Sequence, residues 1–290
     1  MISQWSKFID KVRSFFKERG FLEVHTPILQ QYPNLDPNVE PMEVLVKEKE
    51  GKKKMWLHTS PEHAMKKILS KEKKDIFQIC KVFRNGEWGR FHHPEFTMLE
   101  WYRINADYNL LIQDIVDLLK YLGLSGDYET VTVEEAFEEY AGVILSEEEE
   151  IFKNNLMAYG YEFDMQEDWE ALFYRVYIDV EKHLGQEKPT FLVKFPQRLA
   201  IYSKVKDGYA ERFELYIKGV EIANGWTEET DPTIIRQRME TFSRGRDLPV
   251  DEELIKAMES MPPCAGCSIG LERLFMVIHN IDDIRRLIYY

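Results

Sequence analysis

The chain has 290 residues, 44% of them hydrophobic and 31% charged, with a formal net charge of −13. That supplies a large core for one or two domains, no run nears the roughly 20 apolar residues of a membrane span, and no signal-peptide pattern opens the chain. The acidic balance argues against a broad, salt-driven grip on nucleic acid, and three cysteines (Cys80, Cys264, Cys267) are too few for a disulfide framework, which points to a cytoplasmic protein.

Trp5, Phe8, Ile9, Val12, Phe15 and Phe16 recur at helical spacing, and Gly20 reads as the C-cap of that helix. Residues 21–29 read as a strand interrupted by Pro27, which belongs at an edge or a bulge. Residues 31–42 read as a loop, and the β-like runs 42–46 and 55–57 flank a lysine-rich hairpin tip at Gly51. Ser60 is a good N-cap for a helix with Pro61 in its first turn, where Glu62 suits the dipole. The lysines from 66 to 74 are mixed with acids and apolar residues, the pattern of an exposed, solvated helix face.

Residues 76–84 and 96–103 read as antiparallel strands joined across Asn85, Gly86 and Gly89. Alternation puts Phe96, Met98, Glu100 and Tyr102 on one face and Thr97, Leu99, Trp101 and Arg103 on the other. A carboxylate buried at Glu100 needs a partner. A cationic ligand and an arginine elsewhere in the core serve equally well.

An amphipathic helix follows over 107–123, and 125–190 reads helical and acidic, with Ser146 opening a capping box into the glutamates 147–150. After a strand at 188–196, residues 212–224 form a hairpin about a Lys218-Gly219 turn. Counting from that turn pairs Ile217 with Val220, Tyr216 with Glu221 and Glu214 with Ala223, and sets Glu214 and Glu221 on one face. Converging carboxylates repel unless something cationic lies between them. Magnesium is the hard, oxygen-seeking choice, and an Arg or Lys partner for one of them is the alternative. Cys264 and Cys267 read as ordinary thiols, and Gly266 to Gly270 form a glycine-rich turn into a helix. Arg273 in that helix's first turn opposes the dipole, so an anionic ligand explains it best.

Taken in order, these pieces resemble the class II aminoacyl-tRNA synthetases, in particular the lysine enzymes. The first helix followed by Gly20-Phe21-x-Glu23-Val24 and Thr26-Pro27 resembles motif 1. Phe83-Arg84-Asn85, a short loop, and His92-x-Pro94-Glu95-Phe96-Thr97-Met98-x-Glu100-x-Tyr102 resemble motif 2, and Gly266-x-Ser268-x-Gly270-x-Glu272-Arg273 resembles motif 3. Ser60-Pro61-Glu62 and Asn224-Gly225-Trp226-Thr227-Glu228 resemble the family's substrate-pocket segments. The resemblance implies an α+β class II catalytic fold, an antiparallel β-sheet flanked by helices. Residues 1–290 are expected to be one catalytic domain, with a mainly helical insertion at about 125–190, forming a homodimer. Motif 1 starts too early to leave room for an anticodon-reading OB-fold. The closest likeness is to bacterial ligases that attach (R)-β-lysine to a lysine of elongation factor P, through Leu-Glu-Trp-Tyr at 99–102 and Glu-Lys-Pro-Thr-Phe at 187–191.

The resemblance implies ATP and Mg2+ as cofactors and β-lysine or lysine as substrate, with no membrane partner and no tRNA expected. Arg84 and Arg273 are the implied catalytic cations, and Glu214 and Glu221 the implied Mg2+ ligands. Asn85, Glu87, His92, His93, Phe96, Ile222 and Gly270 join Arg84, Glu221 and Arg273 around ATP. Ser60, Glu62, Glu100, Tyr102, Asn224, Glu228 and Ser268 are assigned to the amino acid. Three positions depart from the family pattern. Gly86 separates Asn85 from Glu87, His93 stands where asparagine is usual, and Ser268 stands where lysine enzymes have glycine and the ligase branch alanine. A minimal tRNA aminoacylase and a non-catalytic synthetase-like subunit are the alternatives. The acidic charge weighs against the first, and intact Arg84, Arg273 and paired glutamates against the second.

Overall fold

A computed structural model describes residues 1–288. In chain order, α1 (Ile2–Glu18) is followed by β1 (Leu22–Glu23), β2 (Leu29–Gln30), β3 (Met42–Glu48), β4 (Gly51–Leu57) and α2 (Glu62–Glu72). Then come β5 (Ile76–Phe83), β6 (Glu95–Ile104), α3 (Tyr108–Tyr121), β7 (Glu129–Thr132), α4 (Val133–Ala141), α5 (Glu149–Ala158) and α6 (Trp169–Glu181). The last third holds β8 (Thr190–Pro196), β9 (Val205–Lys206), β10 (Tyr209–Ile217), β11 (Val220–Thr227), α7 (Pro232–Ser243), α8 (Glu252–Met258), β12 (Cys264–Gly270) and α9 (Leu271–His279).

The main sheet runs β1-β5-β6-β12-β11-β10-β8-β7, with β9 added to β10, and β2-β4-β3 form a small second sheet. Every ladder from β5 to β8 is antiparallel, and the parallel pairings β1–β5 and β7–β8 are confined to the edges. The chain thus adopts the α+β architecture expected from the sequence. Among the described residues no helix is long and apolar enough to cross a membrane.

One face of the sheet presents Phe77, Leu99, Trp101, Ile269, Phe213 and Leu215 to Phe8, Val12, Phe15 and Phe16 of α1, Leu111, Ile115 and Leu118 of α3, and Leu274 and Phe275 of α9. Each such side chain, once buried, contributes about 1.5–3 kcal/mol. Polar ties fix β6 beneath α3. The Trp101 indole donates to Asp114 at 3.1 Å, and Arg103 donates to Asp114 at 2.7 Å and to Asp75 at 3.0 Å. A second core joins α4, α5 and α6 to Leu192, Phe195 and Tyr216 of the sheet, and a third lies among α2, α7 and α8.

Several local expectations are corrected. Residues 21–29 do not make one strand; Leu22–Glu23 pair with β5 in the main sheet and Leu29–Gln30 with β4 in the small one, and Pro27 lies in the unpaired segment between them. The C-cap of α1 is Arg19, and Gly20 follows it at φ +81°. Ser146 makes no capping box; its hydroxyl accepts from Glu148 N, while the capping box belongs to Thr132 and Glu135 after the unanticipated β7. The cap position of α2 is Pro61, although Ser60 Oγ still accepts from Glu62 N at 3.4 Å. Lys218 and Gly219 both take positive φ, as the tight turn requires. Away from that turn a bulge between Leu215 and Tyr216 shifts the register, so Glu214 faces Asn224 and Leu215 faces Ala223.

Candidate active site

The face of the sheet opposite α1 carries polar rows across its central strands. Gln78, Glu100, Ser268, Asn224 and Glu214 stand in register across β5, β6, β12, β11 and β10. The next row is Ile76, Tyr102, Gly266, Trp226 and Arg212. Alternation along β6 therefore delivers Phe96, Met98, Glu100 and Tyr102 into one cavity of about 320 Å³. All the residues assigned from the sequence line it except Asn85, whose backbone N–H is held by Glu40 O at 2.8 Å.

Two clusters of charge divide the cavity. In the first, Arg273 Nη1 reaches Glu221 Oε2 at 3.3 Å and the Glu221 carbonyl at 3.0 Å, while Nη2 donates to His92 Nε2 at 2.5 Å. Burial and then the Arg273 charge push the His92 imidazole below its ordinary value, which suits a neutral acceptor nitrogen. Arg84 lies over the Phe96 ring at 5.2 Å, and Glu87 approaches its guanidinium at 3.7 Å. The preceding residue, Glu272, fastens α9 to β6 by accepting from Thr97 N at 2.8 Å and Thr97 Oγ1 at 2.8 Å.

The second cluster is acidic and buried. The Tyr102 hydroxyl donates to Glu100 Oε1 at 2.6 Å, and among the described residues no arginine forms an ion pair with Glu100. Burial pushes the Glu100 carboxyl up to about 8, the Glu62 charge adds to this, and the Tyr102 hydrogen bond opposes it. Burial and Glu62 also raise Glu228, against the pull of Lys66. Gly266 is required here because a Cβ would overlap the Tyr102 ring and sit 2.8 Å from Glu228 Oε1.

Sequence reasoning missed four neighbours. Lys66, assigned to a solvated face, is buried between Glu62 and Glu228, because α2 turns that face toward the sheet. Its position four residues after Glu62 was the available signal. Arg212 donates to Glu214 Oε1 at 2.5 Å and to Asn224 Oδ1 at 3.3 Å. It lies two residues before Glu214 on the same strand face, where alternation could have found it. Tyr177 of α6 and Tyr216 donate to Glu214 Oε2 at 2.6 and 2.8 Å, and nothing local in sequence announces the Tyr177 contact.

These bonds bear on magnesium. Glu221, with 37% of its side chain exposed, offers free carboxylate surface, whereas both Glu214 oxygens already accept hydrogen bonds. Among the described residues no group of three or more His, Cys, Asp or Glu forms a self-sufficient metal cage. A donor set of one or two carboxylates fits Mg2+ that arrives with phosphates, which complete its shell.

Comparison with known proteins places these features. The family described as tRNA synthetases class II (D, K and N) matches residues 1–290. The chain is 55% identical to a protein of Aquifex aeolicus named "Elongation factor P--(R)-beta-lysine ligase homolog", over 98% of this chain and 97% of that one. It is 38% identical to the "Elongation factor P--(R)-beta-lysine ligase" of Avibacterium paragallinarum, over 98% of this chain and 93% of that one. The enzyme of that name from Haemophilus influenzae (strain ATCC 51907 / DSM 11121 / KW20 / Rd) is 37% identical over the same shares.

Proposed function

Since the chain belongs to the class II tRNA synthetase family (D, K and N), we propose that it is an ATP-dependent, AMP-forming ligase. It activates (R)-β-lysine as an aminoacyl-adenylate and transfers it to a lysine side chain of elongation factor P. The observation that supports this most is that half-buried Glu62 and buried Glu100 and Glu228 share one cavity with Arg84 and Arg273. Carboxylates at one cluster suit a diamine, and guanidinium groups at the other suit phosphates.

In the first step an oxygen of the substrate carboxylate attacks the α-phosphorus of ATP, the bond to the β-phosphate bridging oxygen breaks, and pyrophosphate leaves. Arg84 bridges the carboxylate and the α-phosphate, Phe96 stacks beneath adenine, and Arg273 neutralises phosphate charge. Asn224 orients the carboxylate, with Arg212 fixing its amide through the bond to Oδ1. Mg2+, held by Glu221 and Glu214, would add charge neutralisation on the phosphates. In the second step the acceptor ε-amine attacks the acyl carbon, AMP leaves, and the amine proton passes to solvent. No covalent enzyme intermediate is needed, so the chain supplies orientation and electrostatics. The same reading includes a cytosolic homodimer that does not use tRNA.

Amino-acid-dependent ATP–pyrophosphate exchange tests this reading. The expected result is strong exchange with (R)-β-lysine and weak exchange with α-lysine; no exchange with either would overturn the assignment. Ser268 stands between Glu100 and Asn224 in the cross-strand row, so its hydroxymethyl group narrows the space beside the α-carbon. Ser268→Gly is expected to raise kcat/KM for α-lysine relative to β-lysine about tenfold, the order reached by small steric differences in a pocket. An unchanged ratio would remove Ser268 from the account of selectivity.

A further inference from the structure

The amine pocket already contains an ammonium. Lys66 lies one turn along α2 from Glu62, and its Nζ sits 2.5 Å from Glu62 Oε1 and 2.7 Å from Glu228 Oε2. The side chains of Lys66 and Glu228 are 3% and 1% exposed. The Tyr202 and Trp226 rings flank the same nitrogen at 5.2 and 5.9 Å. Buried ion pairs add little stability compared with an apolar filling of the same space, so folding alone gives weak reason for this arrangement. Glu228 Oε1 points the other way. It is buried and out of reach of the Lys66 bond, in the gap that Gly266 leaves beside Tyr102, and the Trp226 indole helps hold the carboxylate.

The charges facing Lys66 come from several elements. Glu62 lies on its own helix, Glu100 and Tyr102 on β6, Glu228 just beyond β11, and the Cys264 thiol on β12. The adjacent Lys67 and His63 are engaged elsewhere, with Asp251 at 2.8 and 3.7 Å. A bound dication favours the ionised forms of Glu100 and Glu228, and with Glu62 ionised and Lys66 charged the pocket is then two positive charges short of neutrality. Those are the charges of one diammonium molecule.

We propose that Lys66 is a specificity-determining positioning residue. It engages Glu62 and one oxygen of Glu228, favours the ionised form of Glu228 with its other oxygen turned toward the substrate's far ammonium, and limits the unmet charge to that of a diamine. This rests on the reading that the pocket takes a lysine-type substrate. Burial works against the Lys66 charge, but Glu228 and Glu62 hold the ammonium above the ordinary lysine value, so the resident charge persists throughout the working pH range. Even with Lys66 opposing them, burial and Glu62 raise Glu228 to about 7; without Lys66 the carboxyl rises further and stays protonated through neutrality.

The test is calorimetric binding of 1,5-diaminopentane and of pentylamine to the full chain, at pH 7 and pH 9, in buffers of differing ionisation heat that count the protons released. Wild type should favour the diamine over the monoamine. Lys66→Met should bind the diamine about 10–30-fold more weakly at pH 7 and release about half a proton more than wild type, with most of the loss recovered at pH 9, since each unit of pKa is a factor of ten in affinity. Lys66→Arg, which retains the charge, should leave the proton count unchanged, and Lys66→Gln gives the same comparison if the Met variant does not fold. A loss equal at both pH values with no change in proton count, or wild-type affinity in Lys66→Met, overturns the proposal. Wild type that binds no diamine overturns it together with the amine pocket. Wild type that binds the diamine but shows no exchange with ATP overturns the ligase reading and leaves Lys66 in its role.

Discussion

Arg84→Ala lowers amino-acid-dependent ATP–pyrophosphate exchange by about 10³-fold, the upper range for removing one preorganised donor from a developing anion. The argument is positional. Arg84 follows the last residue of β5, its backbone N–H is closed onto Pro94 O at 2.8 Å, and its guanidinium is held over Phe96. It therefore projects into the cavity from a fixed hairpin and loses little freedom when ligand arrives. About a quarter of the side chain is exposed and its ion pair with Glu87 is long, at 3.7 Å, so its removal should leave the melting temperature within about 2 °C, as for a surface substitution. Arg84→Lys should recover only part of the rate, because an ammonium cannot reproduce the planar fork that contacts a carboxylate and a phosphate together. Exchange and thermal melting, measured on the same preparations, decide the matter. A loss below tenfold, or a loss that tracks unfolding, would remove Arg84 from the chemistry.

The largest stability effect is expected at Glu214. Its carboxylate is the common acceptor for Arg212, Tyr177 and Tyr216, all buried. Glu214→Ala strands the Arg212 guanidinium without a counter-ion and frees two phenols, and breaking a buried pair from one side costs about 3–5 kcal/mol. For a chain of this size that is a fall of roughly 10 °C in melting temperature. Differential scanning calorimetry without ligands reads it directly. A shift of less than about 2 °C would mean that Glu214 is held for ligand binding alone and that the network contributes little to the fold.

The parts readable from sequence were those set by local periodicity. Strict alternation in β6 gives the facing of Glu100 and Tyr102 without any tertiary knowledge, whereas the glycine-rich run before Arg273, expected as a turn into a helix, leads into that helix but is itself the strand Cys264–Gly270, because its glycines let neighbouring side chains close over a central strand. The register of the β10–β11 hairpin was correct beside its turn and wrong beyond Leu215, because a turn fixes pairing only up to the first bulge. Lys66 was misread for a different reason. A helix face is known to be buried only when its covering is known, and here the cover comes from Tyr202, Trp226 and Glu228, more than 130 residues downstream. Tyr177 was invisible on the same grounds, since α6 meets β10 only through tertiary packing.

The position of β12 carries a consequence for how the molecule comes into being. It pairs with β6 on one side and β11 on the other, in the middle of the sheet, yet it is the last strand in the sequence among the described residues. Until it is in place, β6 and β11 present long unpaired edges to solvent, and Glu100 and Asn224 belong to separate half-sheets. Closing a central gap with a late segment demands contacts of high sequence separation, which slows folding and leaves edges open to other chains in the meantime. Binding competence therefore arrives in one step with the zipping of Cys264–Gly270, and a nascent chain holds no partly formed pocket in which a diamine or a nucleotide could lodge early.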